Sequence, residues 1–171
     1  QHEDDWRNYG KEKSRFIAPS LTWSGDRATV NVSYAHRNYS TPFDRGTIFD
    51  LNTGHAVNVD RKTRFDEPFN VTNGYSNLAQ LNSEYRLNDA WTARFDYSYS
   101  QDHYNDNQAR VMAYNSATGA LTRRVDATRG STQKMHATRA DLQGKVVVGG
   151  FYNEVLTGIA YENYDLLRTD M

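Results

Sequence analysis

Trp91-Thr-Ala-Arg-Phe-Asp-Tyr-Ser-Tyr-Ser100 decides the fold class of this chain. Trp91, Ala93, Phe95, Tyr97 and Tyr99 share one parity, while Thr92, Arg94, Asp96, Ser98 and Ser100 share the other. On a helix these aromatic rings would scatter around the axis without forming a stripe. On a strand they line one face, and the stretch reads as an amphipathic β-strand.

The same alternation extends in both directions. Upstream, Tyr75, Ala79, Leu81, Ser83, Tyr85 and Leu87 share a parity opposed to Ser76, Gln80, Asn82, Glu84 and Arg86. Asn88-Asp89-Ala90 is a short polar turn between the two runs, so the pair predicts a hairpin. A second hairpin is expected where Ile17, Leu21 and Trp23 lead into Gly25-Asp26 and out through Ala28, Val30, Val32 and Tyr34. A third joins His136, Thr138, Ala140 and Leu142 to Val155, Thr157, Ile159 and Tyr161 through a longer connection from Gly144 to Phe151.

Connections of two kinds alternate along the chain. Tight joins are expected near residues 25, 89 and 147, and long polar stretches run over 41–71 and 104–131. Loops of that length are uncommon in compact domains unless they carry function. Both stretches contain turn-like strings, Asp50-Leu-Asn-Thr-Gly-His55 and Tyr114-Asn-Ser-Ala-Thr-Gly-Ala120, that could close small hairpins of their own. Short turns on one side and long loops on the other match the layout of an outer-membrane β-barrel. A strand of about twelve residues, tilted near 45°, covers roughly 28 Å, which suffices for the apolar band of a bilayer.

Composition narrows the function classes. The 171 residues are 37% hydrophobic with a mean hydropathy of -0.86, yet 13% are aromatic. That aromatic content argues against disorder. Twenty basic and 21 acidic residues leave a net charge of -1, without the basic excess of a nucleic-acid-binding domain. Cysteine is absent, which removes disulfides, thiolate metal sites and cysteine nucleophiles. The histidines at 2, 36, 55, 103 and 136 lack metal-binding spacing. The run from Asp102 to Asn107 could hold a cation but lacks the glycine and terminal glutamate of a calcium loop. There is no nucleophile elbow, phosphate loop or dinucleotide fingerprint, and Asp96 with Glu84 shows no glycosidase spacing. The chain is therefore not expected to be an enzyme.

On the barrel reading, Trp23 and Trp91 beside the short turns form one aromatic girdle, with Tyr34, Tyr97 and Tyr99 in the opposite one. Arg94, Asp96, Glu84, Arg86, Arg139, Asp141, Glu154 and Glu162 then point inward as charge pairs on the wall.

Several strings resemble the TonB-dependent siderophore receptors. They are Trp6-Arg-Asn-Tyr-Gly10, Arg15-Phe-Ile-Ala-Pro-Ser-Leu-Thr-Trp23, Phe43-Asp-Arg-Gly-Thr47 and Arg64-Phe-Asp-Glu-Pro-Phe-Asn70. Leu87-Asn-Asp-Ala-Trp-Thr92, Arg129-Gly130 and Leu156-Thr-Gly-Ile-Ala-Tyr161 complete the set. The resemblance is to the hydroxamate and pyoverdine-type branch and runs over the whole chain. It implies an all-β antiparallel segment of about six to seven transmembrane strands from a barrel of about 22 strands. Residues 1–171 would be a partial receptor barrel without the family's plug domain, and Asp5–Tyr9 would be the end of a seventh strand. The implied location is the bacterial outer membrane as a multi-pass barrel, in contact with lipid and lipopolysaccharide.

The resemblance also implies the function. A ferric siderophore would be the transported ligand, and TonB, contacted through the absent N-terminal part, would energise uptake. Phage or bacteriocins could use the same loops. Residues expected near the ligand are Trp6, Tyr9, Tyr39, Tyr104 and Tyr114, which offer flat apolar area with a polar tip. Arg45, Arg61, Arg110 and Arg124 would attract an acidic siderophore. Two other classes stay open: a small complete outer-membrane barrel in adhesion or structure, and a soluble β-sheet module binding ligands such as carbohydrate.

Overall fold

The computed structural model describes residues 2–4, 8–44 and 46–169. They form one antiparallel sheet of eight strands. The strands are β1 (His2–Asp4), β2 (Lys11–Ile17), β3 (Ser20–Ser24), β4 (Ala28–Pro42), β5 (Val71–Arg86), β6 (Trp91–Asn115), β7 (Ala120–Val148) and β8 (Phe151–Leu167). β2 and β3 share one position in the sheet, end to end along β4, because Pro19 interrupts the strand between them.

Each expected hairpin forms, in the expected order. Gly25 donates its N–H to the Ala28 carbonyl at 2.8 Å to close the first. Asn88 closes the second as an Asx turn, its side-chain oxygen accepting from the N–H groups of Ala90 and Trp91 at 2.8 and 2.9 Å. The third connection is much tighter than the Gly144 to Phe151 join expected. Only Gly149-Gly150 separates β7 from β8, with φ of 60° and 84°, the positive pair that a two-residue type I′ hairpin requires.

The register places the alternating residues of every strand on common faces. Trp23, Val30, Ser83, Phe95, Ala140 and Ile159 stand in one cross-strand row. Leu21, Val32, Leu81, Tyr97, Thr138 and Tyr161 form the next. The opposite face carries the charges. Arg94 pairs with Glu84 at 2.9 Å, Arg139 with Asp141 at 2.6 Å, and Asn82 donates to Asp96 at 2.8 Å. Arg86 instead donates to the Asp26 carbonyl at 2.9 Å. The Arg94–Glu84 pair is half exposed on both sides and contributes at most about 1 kcal/mol.

The expected transmembrane barrel wall is corrected in two respects. First, the sheet has seven strand positions, within the six to seven expected, but β6 and β7 are much longer than expected. The polar stretch 104–131 is the upper half of β6 and β7, closed by a turn ending at Gly119, whose φ is 69°. Second, the sheet is open. β1 pairs only with β2 and β8 only with β7, so the first and last strands are free edges and no barrel closes. A barrel needs those edges joined with matched tilt and shear. The expected location as a multi-pass outer-membrane barrel falls with it, since no closed spanning element forms among the described residues. No helix is long and apolar enough to cross a membrane. Of the strand end expected over Asp5–Tyr9, residues 5–7 lie outside the described residues, and residues 8 and 9 form a turn.

Among the described residues Ala109 is the only buried apolar side chain. The sheet is held by its backbone ladder and cross-strand pairs rather than by a core. Its apolar face stays open, with Leu21 and Ile159 each 74% exposed.

Candidate ligand-binding face

The site lies on the charged face, where β4, β5, β6 and β7 rise toward the long hairpin. Tyr39, Gly74 and Tyr104 are opposite one another across β4, β5 and β6. Gly74 leaves the space that the Tyr39 ring occupies. A Cβ there would come within 2.6 Å of the ring's Cζ and 2.4 Å of the His103 carbonyl oxygen. The Tyr39 hydroxyl donates to Asp102 at 3.3 Å, and the Arg37 guanidinium lies 5.4 Å from the Tyr39 ring centre. Arg37 also pairs with Glu12 at 3.3 Å. Burial, followed by the Asp102 charge, pushes the Tyr39 phenol up to about 12. Tyr39 is thus a neutral donor at any physiological pH. An open concavity of about 600 Å³ begins here, with Arg37, Asp102, Phe16, Leu78, Met135 and Tyr164 in its lining.

Above Tyr104 the hairpin is bulged. Arg129 and Gly130 stand opposite the single residue Asn105, with Gly130 at a φ of 66°. The run from Asp102 to Asn107 secures this bulge. Asn105 accepts from the Gly130 N–H at 2.8 Å, Asp106 from the Thr128 N–H at 2.9 Å, and Asn107 from Arg129 at 2.6 Å. The cation reading of that run therefore loses its donors, and no group of three His or carboxylate residues among the described residues could hold a metal ion.

Beyond the bulge, Arg110 and Arg124 are direct cross-strand partners. Like charges in that position repel. Asp126 offsets the repulsion, reaching Arg110 at 2.6 Å and Arg124 at 2.7 Å. One carboxylate between two guanidiniums leaves a local positive excess, and the Arg124 side chain is 56% exposed. Tyr39, Tyr104, Arg110 and Arg124 thus lie on one side of the sheet, with the arginine pair six residues further along β6 than Tyr104. Tyr9 sits in the turn before β2 with a φ of 63°, and Tyr114 lies at the hairpin tip. Arg61 is in the 43–70 segment. Trp6 and Arg45 lie outside the described residues.

Residues 43–44 and 46–70 form a strap along the edge of β6 left open where β5 starts. At its base the buried Asn70 side chain binds Ala109. Midway, Glu67 pairs with Arg123. Inside the strap Arg64 holds Asp66 at 2.5 Å with both side chains buried. At the tip Asp50 accepts from the Ser116 hydroxyl at 2.6 Å, the Thr53 hydroxyl at 3.0 Å and the N–H groups of Ser116 and Asn52. The Ser116 hydroxyl, foremost among these donors, holds the Asp50 carboxyl down at about 2. The Asp50 turn is legible in the sequence, but its partner Ser116 is not, because it lies 66 residues away.

No family model matches the chain. It is 29% identical over 163 residues to the metal-pseudopaline receptor CntO of Pseudomonas aeruginosa strain UCBPP-PA14, and equally so to that of strain PAO1. The match covers 93% of the chain and 22% of the receptor, so the chain spans about a fifth of these relatives. The fold matches that of the ferric preacinetobactin receptor BauA from Acinetobacter baumannii, with a TM-score of 0.84 at 20% identity over 99% of the chain and 25% of the receptor. For the ferripyoverdine receptor of Pseudomonas aeruginosa the TM-score is 0.86 at 11% identity, over 99% and 23%. For the ferric-catecholate import receptor Fiu of Escherichia coli it is 0.77 at 16%, over 95% and 28%.

The resemblance is to siderophore receptors as a group. It does not single out a hydroxamate or pyoverdine branch, since a catecholate receptor shares the fold as well.

Proposed function

We propose that this chain is a section of a TonB-dependent receptor that takes up metal chelates of the ferric siderophore class. The placement of Tyr39, Tyr104, Arg110 and Arg124 on one side of the sheet supports the reading. Phenol rings offer flat apolar area to a chelate's organic shell. The arginine pair favours a ligand with carboxylate or other anionic groups, because a guanidinium fork binds such groups bidentately. A hydroxamate or pyoverdine-type chelate is the ligand we favour within this class. The role is capture and release rather than covalent chemistry, in keeping with relatives named as receptors.

The test is uptake of a radiolabelled ferric siderophore by cells carrying the full-length receptor, with and without TonB. Uptake that needs both the receptor and TonB is expected. Equal uptake in the two backgrounds overturns the mechanism, and absence of chelate binding overturns the ligand class.

A further inference from the structure

Two buried side-chain polar atoms among the described residues have no hydrogen-bond partner, Arg110 Nε and Ser131 Oγ. Both belong to the charged face. Arg110 is one of the arginine pair, and Ser131 is the direct cross-strand partner of Tyr104. Ser131 therefore ends the row that runs from Tyr39 through Gly74 and Tyr104 across β4 to β7.

A serine on the face of an open sheet normally reaches water, yet Ser131 is 1% exposed. Its neighbours explain the burial. The Tyr39 ring fills the space over Gly74, which leaves the β7 side, over Ser131, for the ring of Tyr104. Direct partners have Cβ atoms only about 5 Å apart, so a tyrosine is long enough to roof a serine. On the other flank the chain after β8 continues the sheet, its Thr169 carbonyl accepting from the Arg129 N–H at 3.0 Å.

The roof is not tied down. The Tyr39 hydroxyl is held by Asp102 at 3.3 Å, whereas the Tyr104 hydroxyl makes no hydrogen bond to a described residue. Beneath it the Ser131 hydroxyl forfeits the hydrogen bonds that water gives it in the unfolded chain, so this serine costs the free protein stability that alanine would not. Such a group is explained by a partner that arrives later.

On the receptor reading above, on which this rests, we infer that Ser131 is a contact of the bound chelate, roofed by Tyr104 in the free protein and uncovered when that ring turns aside. The chemistry fits the ligand class. Oxygens that ligate ferric iron carry negative charge and accept hydrogen bonds, and the Ser131 hydroxyl supplies a donor for one of them. Ser131 and Tyr39 would then be donors at the two ends of one cross-strand row.

The test uses the full-length receptor with two probes, the ferric complexes of a linear trihydroxamate and of a tricatecholate, and reads binding by tryptophan fluorescence. Ser131→Ala is expected to leave the unfolding midpoint equal or higher and to weaken the better-bound complex about tenfold, the worth of one hydrogen bond to a charged acceptor. A merely structural serine would lower the midpoint and leave affinity unchanged. The roof is read separately by maleimide labelling of Ser131→Cys, followed by mass spectrometry of the peptide carrying residue 131. Labelling faster than global unfolding is expected, and faster still when Tyr104→Ala is added. Wild-type affinity in S131A, or labelling only at the rate of global unfolding, would overturn this inference alone. Binding of neither complex by the wild type would overturn the receptor reading and this contact with it.

Discussion

The side chain of Asn70 hydrogen-bonds the backbone of Ala109 as a neighbouring strand would. Its Oδ1 accepts from the Ala109 N–H at 2.7 Å, and its Nδ2 donates to the Ala109 carbonyl at 3.2 Å. β5 ends its ladder at Val71 opposite Asn107, and the amide of Asn70 supplies the next rung. An amide has the donor and acceptor that this requires, and a carboxylate does not.

Asn70→Asp is therefore expected to cost about 1–3 kcal/mol, because it leaves a buried carbonyl facing a carboxylate. Hydrogen exchange at the Ala109 amide checks it. Protection at Ala109 equal to wild type would show that the clasp is unimportant.

Asp50 predicts an acid-labile strap. Its folded value, near 2, lies below the ordinary 3.8, so its stabilising contribution is complete above 3.8 and is lost as pH falls through about 2. Proteolysis within 51–63 should increase across that window in the wild type. Asp50→Asn should show the raised rate already at neutral pH, with no step on acidification.

Tyr39 predicts the opposite sign. Its phenol is held neutral to about 12, so stability associated with it is complete below 10 and is lost as pH rises through 12. The ultraviolet difference titration of wild type minus Tyr39→Phe isolates this ionisation, and Asp102→Asn should move it down. A midpoint at the ordinary 10 would contradict the Tyr39–Asp102 contact.

Gly74→Ala is expected to disorder the Tyr39–Tyr104 pair, since the His103 carbonyl oxygen that its Cβ would meet is backbone and cannot turn aside. A loss of about 1–3 kcal/mol is expected in denaturant unfolding. Unchanged stability and an unchanged Tyr39 titration would show that the sheet yields there.

Arg124→Ala should weaken binding of an anionic chelate about tenfold, or about 1.4 kcal/mol, and flatten its salt dependence. Arg110→Ala should also reduce stability, because it removes one of the two guanidiniums that hold Asp126. Equal affinity for anionic and neutral chelates in wild type would remove the arginine pair from the site.

Much of the sheet was legible because a period of two is a local signal. The alternation read in Trp91–Ser100 and its neighbours is the alternation that the cross-strand rows display. It fades above Ser100, where Gln, Asp, Asn and Arg occupy both faces of β6 and β7, so the turn at Tyr114–Ala120 is legible there but the length of its two arms is not. Whether a sheet closes is a non-local property, because it depends on whether strands far apart in the chain meet at their edges. The site was partly legible. Tyr39, Tyr104, Arg110 and Arg124 were recognisable by residue type, whereas Asn70, Asp50 and Gly74 act through partners 29 to 66 residues away.

The strap along β6 also bears on self-association. A long two-stranded ribbon with a bare edge is a template onto which another chain can add. Asn70 at Ala109 and Leu51 at Tyr114 occupy the main-chain groups that an incoming strand would need. The ribbon can therefore project beyond the body of the sheet while resisting strand addition along that edge, and cutting the strap should open that edge as well as the one on β8.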